Sequence, residues 1–114
     1  MSGIQMALLG AGGLPPLTIS ISPASLYNTR VGNGSLTSGT ATGTGAGGSG
    51  TGYTYAWTYV SGDSYTINSP SAATTTFTTS LIVGIVKTGT YRCTVTDSLS
   101  NTANATIVVS MEAT

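Results

Sequence analysis

Residues of opposite character alternate along several short stretches of the chain, and this period of two constrains the fold more than any other feature. It is clearest where Tyr53, Tyr55, Trp57 and Tyr59 alternate with threonine and alanine, so that one face of the segment is wholly aromatic. A period of two places successive side chains on opposite faces of a β-strand, with one face turned towards a core. No segment of any length shows the spacing of an amphipathic helix. The chain is therefore predicted to be all-β.

Turn-forming residues divide this pattern into about seven short strands, which predicts a two-sheet β-sandwich. The predicted strands are residues 17–22, 35–44, 53–59, 65–67, 73–79, 91–96 and 103–111. The glycine-rich stretch 43–52 is predicted to be a flexible loop, because glycine is the strongest breaker of regular structure. The aliphatic run 81–86 is predicted to be a connection that caps the core.

The chain carries very little charge. Three basic residues balance three acidic ones, and only 5% of the 114 residues are charged, whereas roughly 25% is typical. A neutral surface lacks the basic footprint that binding to nucleic-acid phosphates requires, so no nucleic-acid partner is expected. The most apolar stretch, residues 4–9, is too short to span a bilayer and follows no basic residue, so neither a membrane span nor an export signal is expected. Such a surface is typical of a protein that is held in an assembly or displayed outside a cell.

Residues 1–16 lack the alternating pattern and are predicted to form an extended N-terminal arm on a domain that spans residues 17–114. The arm is apolar and uncharged, is broken by glycines, and ends at Pro15-Pro16, which stiffens its exit into an extended linker. One interpretation is a disordered tail. The interpretation that we favour is an assembly contact against a neighbouring subunit, because exposed apolar segments usually mark interfaces. The predicted contact residues are Ile4, Met6, Leu8, Leu9 and Leu14.

Three residues, Trp57, Tyr91 and Cys93, are predicted landmarks of the core. Residues 89–93 read Gly-Thr-Tyr-Arg-Cys, which follows the pattern Gly-x-Tyr-x-Cys, and Trp57 lies at the centre of the aromatic strand. These spacings resemble immunoglobulin-like domains, whose third strand carries a core tryptophan and whose sixth carries this tyrosine and cysteine. The resemblance implies an immunoglobulin-like two-sheet sandwich in which the Tyr91 hydroxyl bonds back to the main chain. Cys93 is the only cysteine, so Ala41 or a neighbour replaces its usual disulfide partner.

The sequence offers little for catalysis. It contains no histidine, the commonest general base and metal ligand, and the thiol of Cys93 would face the core without an imidazole partner. Asp63 and Asp97 follow neighbouring antiparallel strands, so their carboxylates are expected at opposite ends of the sandwich, about 20 Å apart. The pattern Gly-x-Gly-x-x-Gly at residues 43–48 precedes a strand rather than the helix that pyrophosphate binding needs. No enzymatic activity, cofactor or metal is therefore expected.

Some aromatic side chains are candidates for contacts at the surface. Trp57 and Tyr55 are expected in the core because they lie at the centre of the aromatic strand. Tyr53 and Tyr59 lie nearer its ends and, with Tyr65 beyond the turn, are the candidate surface contacts. Aromatic faces suit the stacking of sugar rings, so host-surface glycans are the candidate ligand class.

Several stretches of the chain carry a narrower resemblance. Residues 74–79 (Thr-Thr-Thr-Phe-Thr-Thr), 91–97 (Tyr-Arg-Cys-Thr-Val-Thr-Asp) and 101–109 (Asn-Thr-Ala-Asn-Ala-Thr-Ile-Val-Val) resemble immunoglobulin-like domains in structural proteins of tailed bacteriophages. The glycine-rich, apolar start is similar to the starts of small phage virion proteins. The resemblance implies a non-enzymatic virion protein, either a capsid decoration or a tail-associated component, that is assembled in the cytoplasm of the host bacterium.

In that interpretation the partners are capsid or tail subunits and further copies of the chain, as a homo-oligomer in the assembly. The resemblance does not choose between capsid and tail. Two alternatives stay open, namely a glycan-binding or adhesion module of a bacterial surface protein, and a domain of a larger bacterial adhesin.

Overall fold

The computed structural model describes residues 14–114, and every regular element in this part of the chain is a β-strand. Four of the predicted arm contacts, Ile4, Met6, Leu8 and Leu9, lie outside the described residues. The strand segments are β1 (Thr18–Ser22), β2 (Ser25–Arg30), β3 (Gly34–Thr37), β4 (Ala41–Ala46), β5 (Thr54–Gly62), β6 (Thr66–Ile67), β7 (Thr74–Thr75), β8 (Phe77–Leu81), β9 (Val86–Thr96) and β10 (Thr102–Ala113).

The strands form two layers. One is a four-stranded sheet in the order β2-β10-β9-β5, in which β9 pairs antiparallel with β10 and β5, while β2 runs parallel to β10. The other layer contains β1-β4-β7 and β3-β8-β6. Its two parts are continuous, because β3 and β4 are halves of one strand, β7 and β8 are halves of another, and the Ser38 amide donates to the Phe77 carbonyl at 2.8 Å between them.

Strands β1 and β2 are also two parts of one strand, which changes from one layer to the other at Pro23. Joined in this way, the ten segments make seven strands. The predicted all-β, two-sheet sandwich is therefore confirmed.

The core lies between the layers, and the three landmark residues lie within it. Trp57 is 2% exposed, while Tyr91 and Cys93 are fully buried. The Tyr91 hydroxyl accepts a hydrogen bond from the Tyr65 amide at 2.5 Å and lies 3.3 Å from the Asp63 carbonyl oxygen. This hydroxyl therefore bonds back to the main chain at the turn after β5, so a polar group is satisfied at the edge of an otherwise apolar core.

Tyr65 is a core residue and not the surface contact that the sequence predicted. It is only 6% exposed, and its ring stacks on that of Tyr91 with centroids 5.8 Å apart. Its hydroxyl lies 2.7 Å from the Lys87 carbonyl oxygen and 2.9 Å from that of Val109, and burial raises its pKa to about 12. The prediction was wrong because β5 and β6 belong to different layers. The chain crosses between them at Tyr65 and turns the ring inward.

The prediction of a flexible loop over residues 43–52 is wrong for its first part. Strand β4 includes the first four of these positions, and Gly43 and Gly45 lie against the opposite sheet. A Cβ on Gly43 would lie 2.9 Å from the Cys93 Sγ, and one on Gly45 would lie 2.8 Å from the Val95 side chain. Glycine is required here by the close approach of two sheets. Gly43, two residues after Ala41, occupies the position where a disulfide partner of Cys93 would lie.

The aliphatic run 81–86 also differs from its prediction, because only Leu81 enters the core. That side chain is 2% exposed, whereas Ile82, Val83, Ile85 and Val86 are exposed by 65, 51, 45 and 55%. The run is a tight turn in which the Ile85 amide donates to the Ile82 carbonyl and Gly84 has a φ of 88°. The turn projects beyond the end of the sandwich, where neither sheet can cover it.

Candidate functional site

The two ends of the sandwich expose different residues. We call the end formed by residues 14–17, 47–53 and 97–101 the amino pole, and the end formed by residues 31–33, 82–86 and 113–114 the carboxyl pole. The pairing of β5 with β9 joins Thr54 to Thr96 near the amino pole and Gly62 to Gly89 near the carboxyl pole. The two poles are therefore separate surfaces.

A cleft of about 500 Å³ opens at the amino pole, beside residues 14–17. The Gly48 amide donates to the Pro15 carbonyl at 2.9 Å, and a Cβ on Gly47 would collide with the Pro16 carbonyl. Residues 14–17 therefore lie along the loop between β4 and β5. Leu14, the predicted arm contact within the described residues, is 58% exposed. The cleft is lined by Leu14, Pro15, Pro16, Leu17, Gly48, Asn101 and Thr102.

The carboxylate of Asp97 holds the loops of the amino pole together. It accepts hydrogen bonds from the amides of Ser49 (2.8 Å), Leu99 (2.9 Å) and Asn101 (2.9 Å), and from the Asn101 side chain (3.0 Å). Desolvation of the carboxylate raises its pKa, but these hydrogen bonds outweigh it and lower the pKa from 3.8 to about 2. The group is 4% exposed, so its role is to fix the loops that support residues 14–17, and not to exchange protons at neutral pH.

The carboxyl pole is apolar and preformed. Its exposed aliphatic side chains are Val31, Ile82, Val83, Ile85 and Val86, of which Val31 is 84% exposed. The Val83 amide donates to the Asn33 side-chain oxygen at 2.8 Å, and the Gly84 amide donates to the Ala113 carbonyl at 2.9 Å. These bonds fix the turn after β8 to the turn after β2 and to the end of β10. The aliphatic surface is thus held in place by the fold.

The sequence did not predict this surface, because the aliphatic run 81–86 was expected to cap the core. The available signal was Gly84, since a glycine inside an aliphatic run of six residues marks a turn. A run of that length that turns in its middle cannot bury every side chain under one sheet.

The candidate aromatic contacts do not come together. Tyr53 is half-buried, and its hydroxyl donates to the Gly47 carbonyl at 2.8 Å near the amino pole. Tyr59 is 50% exposed, and its hydroxyl donates to the Gly62 carbonyl at 2.6 Å towards the other end of β5. Six residues of strand separate the two rings by about 20 Å, and Tyr65 is buried, so these three residues form no continuous stacking platform.

Tyr27 is a further exposed aromatic side chain, on the outer face of the four-stranded sheet. It is 65% exposed, and its hydroxyl donates to the Glu112 carboxylate at 3.0 Å, which raises the pKa of the tyrosine. Strand β2 carries Tyr27, whereas Tyr59 lies on β5 at the opposite edge of the same sheet.

The remaining candidates for chemistry are separated or buried. The pairing of β5 with β9 places Asp63 and Asp97 at opposite ends of the sandwich, as predicted. Burial raises the pKa of the Cys93 thiol from 9.0 to about 11, which leaves it protonated and unreactive at neutral pH. Among residues 14–114, no three histidine, cysteine, aspartate or glutamate side chains are placed to hold a metal ion. The same part of the chain has no helix that could cross a membrane.

Comparison with known proteins places this fold in a family. A family model described as "K319L-like, PKD domain" matches residues 35–111, which is more than half of the chain. A search of the curated proteins with this chain found no match. Among solved structures, a nucleoside hydrolase-related hypothetical protein from Saccharophagus degradans, described as associated with carbohydrate metabolism, is similar with a TM-score of 0.56 and 14% identity. The match covers 91% of this chain and 27% of that one, and at this identity it shows the fold alone.

The two-sheet sandwich, with Trp57 in its core and the Tyr91 hydroxyl bonded to the main chain, defines an immunoglobulin-like module. Within that class, the chain belongs to the K319L-like PKD domain family. The matched residues begin in β3, so β1 and β2 precede the matched region.

Proposed function

We propose that this chain is a non-catalytic structural component of a tailed-phage virion. In this proposal the arm, residues 1–16, binds a capsid or tail subunit, and the sandwich is displayed on the particle. Display of the sandwich would add to the stability of the particle or give weak adhesion to the host surface. The particle would be assembled in the cytoplasm of the host bacterium.

The observation that carries the proposal is the way in which residues 14–17 lie against the amino pole. The hydrogen bond from Gly48 to Pro15 and the network around Asp97 fix the last part of the arm on a rigid support. An apolar segment that starts from a fixed point loses less conformational freedom on binding than a freely hinged one. Leu14, 58% exposed beside the cleft, continues the apolar character of the arm onto the domain.

The low charge of the sandwich also supports an assembly role. Only 5% of the residues are charged, and the outer face of the four-stranded sheet carries mainly threonine, serine and asparagine. A neutral polar surface neither repels further copies nor attracts nucleic acid, so many domains can be placed close together on a particle.

The test is the occupancy of the protein on particles. Particles purified without the protein are mixed with wild-type chain, with Leu8→Ser/Leu9→Ser, or with Leu99→Ser as a matched control. Leu99 is 62% exposed at the amino pole but lies outside the arm. We expect the wild type and the control to bind in the same fixed copy number, counted by quantitative mass spectrometry, and the arm variant to lose binding. Equal occupancy of the arm variant would overturn the anchoring role, and no binding of the wild type would overturn the virion assignment.

A second candidate function is that of a glycan-binding adhesion module of a bacterial surface protein. The exposure of Tyr27 and Tyr59 favours it, since these residues are 65 and 50% exposed, respectively. Wild-type chain and Tyr59→Ala would be compared on an array of bacterial-surface glycans. Binding that the substitution weakens would support adhesion, and no signal above background for the wild type would exclude it.

A further inference from the structure

Five of the eleven large hydrophobic residues that are exposed in the described part of the chain lie together at the carboxyl pole. They are Val31, Ile82, Val83, Ile85 and Val86, which are exposed by 84, 65, 51, 45 and 55%. Clustered exposure of this kind on a preformed surface marks a binding site, because single exposed aliphatic residues are common but clusters are not.

We propose that the carboxyl pole binds residues 1–13 of a second copy of this chain. Those residues carry Ile4, Met6, Leu8 and Leu9 and no charged side chain, so they would bring apolar side chains to an aliphatic surface. The inference extends the arm's proposed role as an assembly contact, on which it rests, and names the surface that receives the arm in neighbouring copies.

The arm is too short to bring Leu8 and Leu9 to the carboxyl pole of its own domain. It joins the sandwich at Leu14, beside Thr102 at the start of β10, and the carboxyl pole lies at the other end of that strand. From Thr102 to Ala113, the 12 residues of β10 rise about 35–37 Å. At full extension from Leu14, Leu9 reaches only about 18 Å and Leu8 about 22 Å. The leucines of the arm can therefore meet a carboxyl pole only on another molecule.

The charges near the carboxyl pole do not oppose an apolar partner. Arg30 donates to the main-chain carbonyls of Gly32 at 3.0 Å and Ser35 at 2.5 Å. Lys87 donates to the Ser80 carbonyl at 3.0 Å.

The two carboxylates near this pole are also hydrogen-bonded. Glu112, which pairs with Val86 across the strands, accepts from the Tyr27 hydroxyl at 3.0 Å, and Asp63 accepts from the Thr88 amide at 2.8 Å. The cations and the carboxylates keep these partners when an uncharged segment covers the neighbouring aliphatic side chains, so binding leaves none of them buried without a hydrogen bond.

Because the arm and the carboxyl pole are different surfaces, the contact is heterologous. Two variants can therefore complement each other. Leu8→Ser/Leu9→Ser has a defective arm and an intact carboxyl pole. Ile82→Ser/Val83→Ser has an intact arm and a defective carboxyl pole. Val108→Thr is the matched control, because Val108 is 42% exposed on the outer face of the four-stranded sheet, away from both poles.

The experiment is sedimentation velocity of the purified full-length chain over a concentration series. We expect the wild type and Val108→Thr to self-associate with the same dissociation constant. Burial of one aliphatic side chain contributes about tenfold in affinity, so each double variant should associate at least about tenfold more weakly. An equimolar mixture of the two double variants should form a 1:1 dimer. Unchanged thermal midpoints would show that the variants are folded.

Three outcomes would overturn the inference. They are a wild-type chain that stays monomeric, an arm variant that associates as the wild type does, or a mixture that gives no 1:1 dimer. The second would indicate that carboxyl poles pair with each other. None of the three bears on particle attachment, which is measured with particles, so failure here and failure of the proposed function are distinguishable.

Discussion

Replacement of Gly43 by cysteine should create the inter-sheet disulfide that this sandwich lacks. A Cβ built on Gly43 lies 2.9 Å from the Cys93 Sγ. In a disulfide with an S–S bond of about 2.04 Å, each Cβ lies roughly 3 Å from the partner sulfur, so the two sheets already have the required separation. The next neighbours of that Cβ, in Ile19 and Tyr55, are at 3.5 and 3.6 Å, which are ordinary contacts.

The size of the effect follows from the loop that the bond closes. Residues 43 and 93 enclose a loop of about 50 residues, and closing it destabilises the unfolded chain by roughly 4 kcal/mol at 25 °C. Native-state strain usually reduces this gain, so we expect oxidised Gly43→Cys to be about 3 kcal/mol more stable than the wild type. For a domain of this size that raises the melting temperature by roughly 12–24 °C.

The assay compares thermal unfolding of Gly43→Cys with and without a reducing agent, after mass spectrometry has shown the loss of two hydrogens. The bond should be formed during oxidative refolding. In the native state, burial raises the pKa of the Cys93 thiol to about 11 and slows its oxidation. The reduced variant should be less stable than the wild type, because an unbonded side chain at residue 43 crowds the Cys93 sulfur.

Gly43→Ala is the control without a bond, and it should be destabilised by about 1–3 kcal/mol. Gly43→Ala/Cys93→Ala should recover part of that loss, since the crowded sulfur is gone. A Gly43→Cys variant that refolds without forming the bond would refute the reasoning. So would a disulfide form no more stable than the reduced one, because either result means that the sheets are not this close.

Three further predictions concern single side chains. Tyr65→Phe should lower the free energy of unfolding in urea by about 1–3 kcal/mol, because the buried Val109 carbonyl and the part-buried Lys87 carbonyl lose their shared hydroxyl. Tyr59→Phe at the surface should lower it by less than about 1 kcal/mol. The wild type should lose stability as the pH falls from about 4 to 2, because the pKa of Asp97 is lowered to about 2 in the folded state and its carboxylate stabilises the fold only while ionised. Asp97→Asn should show a flatter stability profile over that pH range. Gly48→Ala should be clearly destabilised, because its φ of 58° is left-handed and its Cβ would collide with the Asp97 carboxylate.

Each of these has a result that would contradict it. If Tyr65→Phe and Tyr59→Phe lowered the free energy of unfolding equally, the buried Tyr65 hydroxyl would contribute no more to stability than the exposed Tyr59 hydroxyl does. The pH dependence of stability would be followed by circular dichroism. If Asp97→Asn lost as much stability between about pH 4 and 2 as the wild type does, ionisation of Asp97 would not stabilise the loops of the amino pole. Gly50→Ala is the control for Gly48→Ala, because Gly50 has a similar φ of 79° but open space around it. If both substitutions lowered the stability equally, the loss at Gly48 would come from its backbone conformation alone and not from a collision with Asp97.

The strands were predictable because one buried face imposes a period of two on any strand. Residues 53–59 and 91–96 show it without interruption, and all of them except Tyr53 lie in β5 and β9 of the four-stranded sheet. The core positions of Trp57, Tyr91 and Cys93 follow the same pattern. The prediction of a loop that begins at Gly43 was wrong for a different reason. The sequence does not distinguish a glycine that turns the chain from one, such as Gly43, that lets two sheets approach.

The candidate surfaces were harder to predict than the strands. The sequence predicted Leu14 as a contact residue of an apolar arm, and this residue is 58% exposed. It predicted that residues 81–86 cap the core and that Tyr65 lies at the surface, but only Leu81 of that run is buried and Tyr65 is buried too. Hydrophobicity indicates that burial of a side chain is favourable, but it does not indicate whether a sheet lies over that side chain in the folded structure.

The amino-acid sequence alone therefore determined that this protein is an all-β sandwich with little charge and an apolar N-terminal segment, since strand period and composition are local properties. Only the tertiary structure decided that Tyr65 turns inward and that the run after Leu81 turns outward at the carboxyl pole. It also decided that residues 14–17 lie on the opposite pole. These facts depend on which segments meet across the two layers, and that is set by contacts between residues far apart in the chain.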